Sequence, residues 1–173
     1  MASNSLGRNY SIIPYSPHWA RQFKGESKVI SGIFANDLVA IEHVGSTSVP
    51  DMAGKPLIDI LVAVKDIAQV EARIEAMEKA GFTAYGDYLQ KKSYLFTREI
   101  AGEKLVHVHV FEQGHPHIQE MLSIRDYLRE HPEEAKAYSK LKYELKRRYP
   151  NDYGAYRREK DAYMEELKQR ATA

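Results

Sequence analysis

Trp19, Phe23, Ile30 and Phe34 fall on one face of a helix, and Ser16-Pro17 ahead of them supplies a capping hydroxyl and a residue preset for a first helical turn. The pattern predicts a helix over 16–36. Two short apolar runs follow, 38–44 and 57–64; the first is bounded by Gly45 and the second is preceded by Pro56, so both suit buried strands. Asp66 can cap a helix carrying Ile67, Val70, Ile74 and Met77 on one side, with Gly81 at its left-handed end. Strand, short helix start, strand and helix make a β-α-β-α pattern. Strands over 93–99 and 104–111, joined by a hairpin at 100–103, come next. From His117 the pattern is helical through Ile118, Met121, Leu122 and Leu128; Pro132 should open a second helix, Pro150 end it, and a last helix run over 152–170.

These elements predict one α/β domain over residues 1–173, with a core over about 16–115 and a helical tail over about 116–173 packed on it. At 173 residues and 43% hydrophobic content the chain can bury a real core. Its 25 basic and 24 acidic residues give a net charge of +1, which offers no general affinity for nucleic acid or membranes, so charge complementarity must be local. The absence of cysteine excludes disulfides, thiolate metal sites and thiol catalysis. No apolar run reaches 18 residues and no secretory pattern opens the chain, so a cytoplasmic protein is expected.

The candidate chemistry lies in 41–62, where a strand, a Gly-Ser turn with a short helix start, and a strand with one carboxylate follow each other. A helix start offers backbone N–H groups to anionic oxygens, and a nearby acid can hold the counter-cation; these are the parts of a polyphosphate site. In the second strand Asp59 and Leu61 share a face, opposite Ile58, Ile60 and Val62, and in the later strand Leu105, His107, His109 and Phe111 share one. If the two strands are close, Asp59 meets both imidazoles. The alternative for Asp59 is a strand-edge acid paired with a lysine.

The segment from Glu42 to Val62 resembles the GrpB-like family of the nucleotidyltransferase superfamily, through the loop His43-Val-Gly-Ser-Thr-Ser-Val-Pro50 and the strand Gly54-Lys-Pro-Leu-Ile-Asp59. The resemblance continues at Val106-His-Val-His109, at Arg125-Asp-Tyr-Leu-Arg129, and at Tyr138 with Lys142 and Tyr156 with Lys160. It implies a mixed sheet of about five strands flanked by helices, phosphates bound at the Gly-Ser turn, divalent cations on strand carboxylates, and cation-assisted transfer of a nucleoside monophosphate. The chain departs from that pattern where a second acid would fall on Leu61 and where histidines stand in place of a third. Imidazole suits Zn²⁺, Mn²⁺ or Fe²⁺ better than Mg²⁺, so Mg or Mn remains open beside Zn. Some members resemble fusions to dephospho-coenzyme A kinase domains, which points to a nucleotide or coenzyme A precursor as ligand.

The expected site then comprises Asp59 and His109 as catalytic groups, and Asp59, His107 and His109 as metal ligands. His43, Gly45, Ser46, Thr47, Ser48, Lys55, Tyr138, Lys142 and Lys160 would bind the nucleotide or phosphate. Each has a plainer reading. His43 can orient the loop or be a core histidine, Thr47 and Ser48 can cap the short helix, and Lys55 can be a solvated lysine. Tyr138 beside Lys142, and Tyr156 beside Lys160, can offer a ring to a base and an ammonium to a phosphate, or be packed rings beside solvated lysines. His115 and His117 flank Pro116 in a turn expected to face solvent, while Arg125 and Asp126 are expected to tie the tail to the sheet. Two further functions stay open: a binding module that has lost the chemistry, favoured by Leu61, and a metal-dependent phosphoester hydrolase using the histidines.

Overall fold

Helix α1 (His18–Phe34) starts where the pattern placed it, in a computed structural model that describes residues 10–101 and 103–173. The Ser16 hydroxyl accepts from the His18 amide at 3.3 Å and the Ser16 carbonyl from the Trp19 amide at 3.0 Å, which satisfies N–H groups that the first turn cannot. The sheet comprises β1 (Leu38–Val44), β2 (Ile58–Val64), β3 (Thr83–Ala84), β4 (Ser93–Ile100) and β5 (Glu103–Glu112), in the order β1-β2-β5-β4-β3. It is mixed: β2 and β5 run parallel, and every other neighbour is antiparallel. The five-stranded mixed sheet flanked by helices agrees with the expected fold class.

Because successive strand residues alternate in direction, β2 and β5 divide the molecule. Ile58, Ile60, Val62 and Val64 join Val106, Val108, Val110 and Phe96 beneath α1, with Val70 and Met77 in the same cluster. The opposite face carries Val44, Leu61 and Phe111, packed under Ile118, Met121 and Leu122 of α3 (Pro116–Glu130). Helices α4 (Pro132–Arg148) and α5 (Tyr153–Thr172) complete that side, where Val49 and Met52 from the β1–β2 connection meet Leu128, Tyr138 and Leu167.

Asp66 caps as expected, accepting from the Ala68 amide at 2.9 Å, and Gly81 adopts φ +90°. Between them the chain forms a 3-10 segment, Ile67–Arg73, before a single turn of α-helix, α2 (Ile74–Lys79), where one continuous helix was predicted. The β1–β2 connection, residues 45–57, contains a short 3-10 turn at Ser46–Ser48, and those strands pair antiparallel, so no β-α-β crossover forms between them. β3 has two residues, too few to show an alternating pattern in sequence. Ile100 and Glu103 pair across the β4–β5 hairpin as predicted, although Gly102 of that turn lies outside the described residues. Among the described residues no helix is long and apolar enough to cross a membrane.

Ile60 is fully buried in β2, so Ile60→Ala should lower the unfolding free energy in urea by about 2–4 kcal/mol. Val39→Ala on the exposed edge strand β1 should change it by less than about 0.5 kcal/mol.

Candidate functional site

The parallel register of β2 and β5 sets Asp59 beside His107 and Leu61 beside His109 on one face. The Asp59 Oδ1 atom lies 3.3 Å from His109 Nε2 and 3.6 Å from His107 Nδ1. Burial pushes the Asp59 carboxyl up, but the hydrogen bond and charge of His109, with His107 and Lys55 behind them, win and hold its pKa below the ordinary value. One ligand atom from each of the three residues fits within a 4.8 Å cluster. Donors at about 2.0–2.2 Å from one ion stand roughly 3–4 Å apart, so the 3.3 and 3.6 Å separations from Asp59 Oδ1 make these three residues candidates for holding one divalent cation.

The bend at the end of β1 touches that carboxylate. Gly45 has φ +73° and ψ −175°, a conformation essentially reserved for glycine. A Cβ there would stand 2.6 Å from Asp59 Oδ2, so only the bare backbone can pass so close to the acid. The following 3-10 turn uses the Ser48 and Val49 amides on Gly45 O and Ser46 O, while the leading amides, those of Ser46 and Thr47, belong to the group that a helix start leaves without an intrahelical acceptor.

A cleft of about 200 Å³ opens at this junction. One wall is polar, with Gly45, Ser46, Asp59, Arg125 and Lys160; the other carries Met121, Ile124, Leu128 and Met164 from α3 and α5. The tail holds the loop in place. Lys142 Nζ is hydrogen-bonded with Ser46 Oγ at 2.8 Å and donates to the Ala53 carbonyl, Ser139 Oγ accepts from the Ala53 amide at 3.0 Å, and Arg129 donates to Ser48 O at 2.8 Å. Arg125 bridges Glu42 at 2.7 Å and the His43 carbonyl at 3.2 Å, and Lys55 donates to the Tyr153 hydroxyl.

The profile of the family described as GrpB protein matches residues 9–170, and a crystal structure of the conserved protein GrpB from Enterococcus faecalis superposes with a TM-score of 0.88. The chain belongs to the GrpB family. That Enterococcus structure is 31% identical and the match covers 93% of this chain and 96% of that one. The UPF0157 protein YqkA of Bacillus subtilis is 36% identical over 171 residues, and the chain spans 48% of its length, about half. A protein named dephospho-CoA kinase from Mycolicibacterium paratuberculosis is 24% identical in a region that takes in 92% of this chain and 45% of its own length.

Not every residue singled out in this GrpB chain faces the cleft. Gly45, Ser46, Asp59, Tyr138 and Lys160 line it, and His107 and His109 adjoin Asp59. His43 points to the α1 side, stacks on Phe23 at 4.9 Å between centroids, and its Nε2 lies 2.9 Å from Thr47 Oγ1, which donates to Leu57 O at 3.0 Å. Ser48 Oγ donates to Gly45 O at 2.6 Å. His43, Thr47 and Ser48 therefore brace the loop, because their polar atoms are engaged inside it and none lines the cleft. Tyr138 is buried against Tyr163, with Lys142 Nζ 4.3 Å from its ring centre, so its face is already occupied; Tyr156 is buried against Tyr153 and Tyr10. Lys142, read as a solvated or phosphate-facing lysine, is buried.

His115 and His117 are half-buried rather than solvent-facing. His115 Nδ1 caps α3 by accepting from the His117 amide at 3.1 Å, and His117 Nδ1 pairs with Glu120 at 2.7 Å. Arg125 does join tail to sheet, as expected, and also lines the cleft, which its sequence context did not show. The apolar wall was likewise missed; Met121, Ile124, Leu128 at spacings of three and four were a legible face whose partner was not.

Burial pushes the His43 imidazole down to about 4 from 6.5, against a weaker upward pull from Asp59. A depressed folded pKa means that the unfolded chain takes up the proton first as pH falls. Stability should therefore decline between pH 6.5 and about 4, by roughly 2 kcal/mol from this residue, and His43→Gln should flatten that part of a urea-denaturation pH profile. Gly45→Ala should destabilise by about 1–3 kcal/mol and displace Asp59. Gly86→Ala, also at positive φ but with open space around it, should cost less in the same denaturation experiment.

Proposed function

We propose that this cleft binds a nucleotide or related phosphoester together with one divalent cation, and transfers a nucleoside monophosphate from it to an acceptor. The observation that supports the reading is the closeness of the Gly45 bend to Asp59, where a Cβ would stand 2.6 Å from Oδ2, with Gly45, Ser46 and Asp59 lining one opening. Asp59 Oδ1, His107 Nδ1 and His109 Nε2 would hold the ion, which when bound supplies positive charge to the transferring phosphorus oxygens. The donor set favours Mn²⁺ or Zn²⁺ over Mg²⁺.

The protein's own groups do the remaining work. The Ser46 end of the turn receives phosphate oxygens, and Lys55 and Lys160 neutralise their charge as the acceptor approaches. The Met121, Ile124, Leu128 and Met164 wall accommodates the organic part of the ligand. Similarity to a region of a protein named dephospho-CoA kinase supports testing coenzyme A precursors beside nucleotides.

One observation favours a second reading, a binding module without turnover. Leu61, where a second metal-binding acid would stand, is only 2% exposed and packed beneath α3, so the described site offers no carboxylate there for a second ion.

Calorimetry with ATP and dephospho-coenzyme A, with and without Mn²⁺, separates the two when joined to an assay of labelled nucleotide transfer. Transfer requires Mn²⁺-dependent binding that Asp59→Ala weakens at least about tenfold. Metal-independent binding without turnover supports the module, and no binding of either ligand removes both readings. Near-stoichiometric zinc in purified protein, with phosphoester cleavage and no transfer, would instead support hydrolysis.

A further inference from the structure

We infer that Ser46 and Lys142 form a nucleophile and base, so that Ser46 Oγ attacks a phosphorus electrophile in the cleft and carries the transferred group covalently. This deepens the phosphoester reading of the same site. Lys142 Nζ lies 2.8 Å from Ser46 Oγ, hydrogen-bond reach for proton transfer, and Ser46 lines the cleft while Lys142 is 2% exposed behind it. Gly54 leaves room for the pair: a Cβ there would meet Ser46 Cβ at 2.9 Å, Ser46 Oγ at 3.6 Å and Lys142 Nζ at 3.7 Å.

The surroundings favour a neutral amine. The groups facing Nζ are Ser46 Oγ and Ala53 O from the loop and the Tyr138 ring from its own helix, none of them a carboxylate. Lys55 from the loop and Lys160 from α5 add like charge, and Lys160 is itself paired with Asp161 at 3.4 Å. Burial first, then these two lysines, push Lys142 down to about 7 from 10.5. A neutral Nζ can donate to Ala53 O and accept the Ser46 hydroxyl proton through its lone pair. An ammonium has no lone pair with which to do so.

In the first step the Ser46 Oγ–H proton passes to Nζ as the Oγ–P bond forms. The bond from phosphorus to its leaving oxygen breaks, and that oxygen departs with the electron pair. The Lys142 ammonium returns its proton to the leaving group or to solvent. An acceptor hydroxyl or water then attacks the Ser46 phosphoester, its O–H proton passes by way of the Lys142 amine to Oγ, and the bond from phosphorus to Oγ breaks.

The full chain treated with an alkyl fluorophosphonate tests this, because the probe brings its own leaving group and needs neither nucleotide nor cation. Intact mass and peptide mapping should show one adduct, on Ser46, with a labelling rate that rises with pH through a single ionisation near 7. Ser46→Ala should not label, and Lys142→Met, folded by circular dichroism, should label at least about 100-fold more slowly. The wild-type pH profile reads the ionisation even where Lys142→Met does not fold. Absence of a Ser46 adduct, a rate that is flat across about pH 6–8, or equal labelling of folded Lys142→Met overturns the assignment. Labelling without nucleotide affinity leaves the pair standing and removes the nucleotide reading; nucleotide transfer without labelling does the reverse.

Discussion

A carboxylate inside an otherwise apolar central strand has to be compensated, and the way Asp59 is compensated organises this molecule. Two imidazoles reach it from the parallel neighbour β5, and the bend at Gly45 comes within a missing side chain's width of its other oxygen. The strand order is what makes this possible. With β2 between β1 and β5, the loop leaving β1 and the histidines of β5 approach the same acid from opposite sides. Removal of either imidazole would leave the partly buried charge with one partner fewer.

The second constraint acts from the tail. The β1–β2 connection contains little regular structure of its own; Arg129 and Lys142 bind its carbonyls and the Ser46 hydroxyl, Ser139 accepts from its Ala53 amide, and Arg125 holds the His43 carbonyl just ahead of it in β1. Internal bracing by His43, Thr47 and Ser48 supplements this from the α1 side. A loop fixed from both sides presents its leading amides in a constant direction, which is the preorganisation that anion binding at low entropic cost requires. The same tail residues enclose the apolar wall, so cleft shape and loop position are set by one packing arrangement. Its electrostatic load is positive: Lys55 lies near Asp59, and Lys55 and Lys160 together disfavour charge on buried Lys142.

Much of this was legible in the sequence because it depends on local rules. The alternation of β2 and β5 assigned Asp59, His107 and His109 to matching faces, and Pro132, Pro150, Asp66 and Gly81 marked element ends that the structure shows. What was not legible depends on which segments meet. His43 falls one residue off the Asp59-facing side of its strand, yet only the antiparallel pairing of β1 with β2 reveals that it turns to Phe23 and α1. Lys142 sits in a basic run that reads as solvated; its burial follows from contact with Ala53 and Ser46, about ninety residues earlier in the chain. Leu61 was conspicuous as a missing acid, and the structure explains its side chain as part of the floor beneath α3.

The central claim, that the Gly45 bend and the Asp59 carboxylate open into one anion-receiving cleft, is tested most directly by diffraction from crystals soaked with Mn²⁺ and a non-hydrolysable nucleotide. The account predicts an anomalous manganese peak among Asp59, His107 and His109, and phosphate density against the Ser46 end of the turn. Manganese bound elsewhere, or phosphate held on another face of the sheet with this cleft left to solvent, would contradict it.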